Sequence, residues 1–200
     1  MATWYPPGDF SLQDAQDFLE KDIMKCLLRT KHLYVETQPK KEIGHGMFEP
    51  IMLCLSWCDF LGALYCGDGL EKWDGGEGST NRSQKYVAEI LGRVSSSYIS
   101  SSSELVRNYR NGLVHGYVPV RFYIMYGDAK NHLVEDSGGL LRIDIPTFIG
   151  DMIASVRSFS GLLKTIPYGM PGSLSLFNKG RDELLTKKKK YLEDIENRNL

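Results

Sequence analysis

From Pro50 to Cys66 the chain is almost wholly apolar, and within Ile51 to Cys66 only Ser56, Asp59 and Gly62 break the hydrophobic run. A helix apolar on most of its faces must be enclosed by other elements, so this one is expected at the centre of the fold. The interruptions keep the run short of the roughly 18 consecutive apolar residues of a membrane span. A buried core helix and no membrane association follow as expectations. With 42% hydrophobic and 24% charged residues in 200, the chain can bury a core and is too apolar for a disordered one. A formal net charge of −1 argues against holding long nucleic acid by bulk charge, while leaving room for a small local RNA site. The opening Met-Ala-Thr-Trp-Tyr-Pro-Pro has neither a basic nor an apolar leader region, so a cytoplasmic location is expected. Cys54 and Cys58, four apart in the apolar run, read as small core residues of a reduced protein, without metal-ligand spacing.

Helical periodicity surrounds this centre. Ser11 followed by Asp14 resembles a capping box that opens a helix to about Tyr34, with Phe18, Leu19, Ile23, Cys26 and Leu27 on one stripe. A third helix is predicted over about 81–99, then a serine-rich bend. Ser101 with Glu104 reads as a second capping box, starting a fourth helix that ends near His115, with Gly116 as its stop and Pro119 beyond. The period then becomes two. Arg121 to Tyr126 and Leu140 to Ile145 read as strands, with a weaker one near His132 to Glu135. A small antiparallel β-meander is therefore expected at about 120–145. A fifth helix over about 147–164 follows, and a polar helical tail over about 175–200. The expectation is a single domain over 1–200 whose helical core covers about 11–165.

The segment Arg107-Asn108-Tyr109-Arg110-Asn111-Gly112-Leu113-Val114-His115 sits at the end of the fourth helix. An arginine, a polar neighbour and a histidine four to six residues after the arginine resemble the motif of HEPN domains, carried here by Arg110, Asn111 and His115. The resemblance implies an up-and-down bundle of four to five helices that dimerises. It also implies a metal-independent endoribonuclease without a cofactor, of the kind found in toxin–antitoxin and antiviral systems. An antitoxin or other protein is then a candidate partner. Some members of the family have lost catalysis, which leaves a non-catalytic helical module for RNA binding or protein–protein interaction as the alternative.

At about 100° per residue, Leu105, Val106, Tyr109, Gly112 and Leu113 fall on one arc, the core side. Arg107, Asn111 and Val114 lie opposite, with Arg110 and His115 at the edges of that outer arc. Asn111 and His115, four apart, can touch, which would orient the imidazole. Arg110 and His115, five apart, lie about 140° round a straight α-helix and do not share a face. Either the helix loosens before His115, or each arginine works with groups from a second copy. The apolar Val114 on the outer arc favours a two-fold dimer whose motif residues meet in one cleft.

Such a site could cleave RNA with little else, because RNA carries its own nucleophile in the 2′-hydroxyl. His115 would move the proton and Arg110 would hold the phosphate and its developing charge. The resemblance implies a 2′,3′-cyclic phosphate product, and DNA, lacking the hydroxyl, is not expected as a substrate. Arg107 is a further candidate phosphate ligand. Tyr117, like Tyr123 and Tyr126, is a candidate for stacking on a base. The plain structural alternative has Arg110 paired with an acid of its own bundle and His115 capping the helix C-terminus. His45 and His132 have no partner at a telling spacing and receive no role. Lys187 to Lys190 reads as a solvated helix face, and Gly75 to Thr80 lacks the lysine of a phosphate loop.

Overall fold

The computed structural model describes residues 8–37, 48–68, 77–110 and 122–198, with the side chains at 77–80, 108–110, 122, 187, 191–192 and 194–198 excepted. The fold is mainly α, with one two-stranded sheet among the described residues. Ser11 opens the first helix as a reciprocal capping box. Its hydroxyl oxygen accepts from the Asp14 N–H at 3.2 Å, and Asp14 Oδ2 accepts from the Ser11 N–H at 3.0 Å. α1 (Leu12–Asp17) passes through a π-helical stretch (Phe18–Ile23) into α2 (Met24–Lys31), and a second π-helical stretch (His32–Glu36) ends the run. Phe18, Leu19, Ile23 and Leu27 turn inward, as the stripe read in the sequence requires, while its fifth member, Cys26, is only half-buried.

The apolar run forms α3 (Glu49–Cys66), which ends at Gly67 in the left-handed conformation, φ 66°. Each of its three polar or small interruptions has a separate physical use. Ser56 is exposed and its hydroxyl donates back to the Met52 carbonyl at 2.8 Å. Asp59 receives the guanidinium of Arg82 from α4 (Glu77–Glu89) in a two-pronged pair, Nε to Oδ1 at 2.9 Å and Nη2 to Oδ2 at 3.2 Å. Gly62 lets α4 approach, since a Cβ there would stand 2.5 Å from the Arg82 carbonyl oxygen. Cys54 and Cys58 are fully buried in the same helix, as expected.

After α4 the chain turns through a short 3₁₀ segment (Leu91–Arg93), and α5 (Ser97–Glu104) starts before the predicted position. The capping box expected at Ser101 does not form. Ser101 and Ser102 are buried inside the helix, and Ser100 and Ser102 donate back to the Ser97 and Ile99 carbonyls at 3.1 and 3.0 Å. Serines that bond to the preceding turn can stay helical, so the bend falls at 90–96, taking in Ser95 and Ser96 but not Ser100 to Ser103. α5 continues as a π-helical stretch, Leu105–Arg110.

The expected antiparallel meander is corrected. β1 (Phe122–Met125) pairs in parallel with β2 (Leu141–Asp144), Phe122 opposite Leu141 and Met125 opposite Asp144. The predicted weak strand contributes one antiparallel bridge, Glu135 to Leu141, beside bonds from Leu133 N–H to the Arg142 carbonyl and from Arg142 N–H to the Val134 carbonyl. The connector from β1 first bends through a 3₁₀ turn (Ala129–Asn131). That detour lets the chain return to β2 running in the same direction as β1, and alternation of side chains carries no mark of strand direction. α6 (Ile145–Leu162) begins two residues before the predicted start, because Asp144 is its N-cap, with Thr147 N–H donating to Oδ2 at 3.2 Å.

α7 (Leu174–Arg198) is more than a polar tail. Phe177 is fully buried, and Asn178 clasps Phe10, donating to its carbonyl and accepting from its N–H, both at 3.0 Å. Gly180 lies against the Ala63 carbonyl, where no side chain would fit. The core therefore reaches beyond residue 165, closed by Phe10, Phe18, Phe159 and Phe177 with ring centroids 6.0–6.3 Å apart.

Candidate functional site

The helix formed by α5 and its π-helical continuation carries the start of the motif. Leu105 and Val106 are fully buried and Arg107 is exposed, the division between core arc and outer arc that the wheel predicts. Arg110 is the last described residue of this helix. Its side chain, together with Asn111, His115 and Tyr117, lies outside the described residues, as do Gly112 and Val114. The straight-helix wheel changes within Leu105–Arg110, because π-helical bonding runs from i to i+5 in place of i to i+4. In that register, residues five apart are the neighbours along the axis. The other two tyrosines considered for base stacking part company. Tyr123 is 57% exposed on β1, whereas the Tyr126 hydroxyl donates to the Val35 carbonyl at 2.8 Å.

A different polar cluster is fully assembled where α5, α6 and the β1–β2 connector meet. His132 Nδ1 accepts the backbone N–H of Asp144 at 3.0 Å. A neutral imidazole with Nδ1 accepting carries its proton on Nε2. Nε2 lies 2.9 Å from the Tyr98 hydroxyl, and that hydroxyl donates to Asp151 Oδ2 at 2.8 Å. One direction satisfies every bond: Asp144 N–H to His132, His132 to Tyr98, Tyr98 to Asp151. Asp144 is itself buried, its Oδ1 taking the Asp128 N–H at 2.9 Å and its Oδ2 taking the Thr147 hydroxyl at 2.6 Å. Phe148 closes the cluster, stacked on Tyr98 at 6.2 Å and tilted against the His132 ring at 6.1 Å.

Burial sets the protonation of these groups. Loss of solvent pushes the His132 imidazole down from 6.5 to about 4, with the Asp144 carboxylate pulling weakly the other way. Burial raises Asp151, and the Tyr98 hydroxyl bond lowers it in part. Tyr98 is held well above its ordinary value by burial first and by Asp151 second. The cluster is thus neutral at His132 near pH 7, and every member keeps one partner.

His132 and Tyr98 were not recognised from the sequence as members of any site. The one local signal is Asp144-Ile145-Pro146-Thr147, an N-cap aspartate, a proline in the first turn and a threonine at the third position. It marks Asp144 and says nothing of His132, which arrives from a separate turn. Elsewhere, a groove between segment 9–10 and α7 is bordered by Asp9, Asp182 and Glu183, with no residue of the motif helix on its wall. Among the described residues no group of three or more His, Cys, Asp or Glu is placed to hold a metal ion. Burial pushes the Cys54 thiol up to about 12, so it is no thiolate nucleophile near neutral pH. Comparison with family models, with curated proteins and with solved structures finds no match for this chain.

Proposed function

We propose that this protein is a metal-independent endoribonuclease of HEPN type, working as a homodimer with Arg110, Asn111 and His115 at the shared cleft. The observation that supports the reading is the outward face of the described part of the motif helix. Over Leu105–Arg110 it runs with i to i+5 bonding while Arg107 faces solvent and Leu105 and Val106 face the core. Arg110, the last described residue of that helix, and His115 are five apart in the sequence, within the spacing of the motif. π-helical turns within α-helices recur at functional sites.

In the proposed reaction the 2′-hydroxyl oxygen attacks the adjacent phosphorus, and the bond from phosphorus to the 5′-oxygen breaks. His115 takes or returns the proton, and Asn111 holds the imidazole in orientation. Arg110 binds the phosphate and the charge that grows on it, with Arg107 as a second cation and Tyr117 as a stacking surface. The products are a 2′,3′-cyclic phosphate and a 5′-hydroxyl.

The test is incubation of purified protein with varied RNAs in EDTA, wild type beside Arg110→Ala and His115→Ala. Wild type is expected to cleave, and His115→Ala to lose about 10²–10⁴ in rate, the usual contribution of a positioned proton-transfer group. Equal cleavage by all three proteins, or none by wild type, overturns the nuclease reading. Retained dimerisation without cleavage would leave the helical interaction module.

A further inference from the structure

The His132 cluster lies outside the proposed nuclease site and has a property of its own. It joins three parts of the chain that are far apart in sequence: the connector at His132, α5 at Tyr98 and α6 at Asp151. Its bonds have a single consistent direction, and that direction requires Nδ1 of His132 to be bare. A second proton on the ring would sit where the Asp144 N–H already points, donor against donor. The ring cannot accept it in place, because its side chain is only 5% exposed and held between Tyr98 and Phe148.

The connector is also under backbone strain next to the ring. Leu133 has φ 59°, the one positive φ at a non-glycine among the described residues. For a bulky side chain this conformation is unfavourable and persists only when its surroundings enforce it. The enforcing contacts are the Leu133 N–H to Arg142 carbonyl bond at 2.7 Å, the burial of the Leu133 side chain, and the His132 bonds.

From these contacts we infer that His132 is an acid-released latch. Bare at Nδ1 it ties the β1–β2 connector to α5, and protonated there it lets the connector go. The groups facing it are the Tyr98 hydroxyl from α5, Asp151 from α6 and Asp144 from the end of β2, while the Asp128 carboxylate of the connector accepts from Asn131 at 2.7 Å. The fully buried Cys54 and Cys58 thiols of α3 are the other titratable groups near Tyr98, and burial keeps both protonated. Among the described residues neither Asp144 nor Asp151 has a lysine or arginine partner. The carboxylates nearby therefore attract an imidazolium without being able to keep the Asp144 N–H bond. Release frees the strained turn and one anchor of the motif helix, independently of whether that helix cleaves RNA.

The experiment is nuclear magnetic resonance on the full-length chain, following the histidine ring and amide exchange from pH 7.5 to 3.5 with intrinsic rates corrected. His132 is expected in the Nε2–H form at pH 7, titrating near pH 4 and not at 6.5. Opening of the Asp144 amide and of residues 128–135 is expected to rise about tenfold per pH unit between these two values and to flatten below, as one-proton linkage requires. Amides of α3 serve as the reference for opening of the whole fold, and connector opening is expected to exceed theirs throughout. His132→Gln offers Tyr98 an N–H that does not titrate in this range, and is expected to keep the connector's exchange flat. A ring titrating near 6.5, an Nδ1–H tautomer, or connector exchange in wild type that is flat over the window would each overturn the latch. If His132→Gln does not fold, the wild-type titration alone decides.

Discussion

Two buried polar arrangements hold this molecule together, and they are built on opposite principles. Between α3 and α4, Asp59 faces the fork of Arg82, with the Ser83 hydroxyl donating to Asp59 Oδ1 at 3.0 Å and Arg82 Nη1 donating to the Asp68 carbonyl at 3.2 Å. Opposite charges meet with their remaining hydrogen-bonding groups satisfied. Between α5, α6 and the connector, His132, Tyr98 and Asp151 form a directed chain with no cation in it. The first arrangement fails when a partner is removed, because a charge is stranded. The second fails when a proton is added, because a donor is stranded.

Asp59→Ala strands the Arg82 guanidinium, whose side chain is 4% exposed, and is expected to cost about 3–5 kcal/mol in chemical denaturation. A loss under 1 kcal/mol would mean that water or another acid replaces Asp59, erasing the contrast between the two arrangements. Acid should act on the other cluster. His132 is depressed below its unfolded value, so the stability tied to its neutral form is complete above about 6.5 and is lost as pH falls towards about 4. The loss is about 3 kcal/mol at most. Asp151 is shifted up and has the opposite sign, favouring the fold once it is protonated, so it offsets part of that loss in more acid solution. Stability of wild type and His132→Gln against pH separates the two terms, and parallel curves would remove His132 as the source.

Tyr98→Phe deletes the middle of the chain and leaves both the imidazole N–H and Asp151 without this partner. About 1–3 kcal/mol of destabilisation is expected, read from thermal unfolding. Gly62→Ala drives a methyl group towards the Arg82 carbonyl and is expected to cost about 1–3 kcal/mol, separating α3 from α4 and so weakening the ion pair as well. Ser11→Ala touches neither cluster. It removes a helix cap, is expected to cost about 1 kcal/mol, and sets the scale for a purely local bond.

Local regularities were legible in the sequence. The capping box at Ser11, the inward stripe from Phe18 to Leu27, the central apolar helix and the exposed Arg107 all follow from spacing within a few residues. The reading misplaced the start of α5, because a serine can cap a helix or bond back inside one, and only burial of Ser101 and Ser102 separates the two. It missed the parallel pairing of β1 with β2, since strand patterns report faces and not direction. It undervalued α7, where one buried phenylalanine and a glycine packed against the Ala63 carbonyl bring the first turns into the core. The proposed site residues Arg110, Asn111 and His115 rest on the motif, and Asn111 and His115 lie outside the described residues.

Short-range physics alone dictated which segments of this chain became helices and which apolar surfaces turned inward, because helical period and capping depend on neighbours within about one turn. Only the folded arrangement decided the partners of Asp59, Tyr98 and His132. Each is an ordinary polar residue in its own stretch of chain, and acquires its chemistry from a group 23 to 53 residues away. A hydrogen bond across such separations depends on where whole helices come to rest, and no local pattern encodes that position.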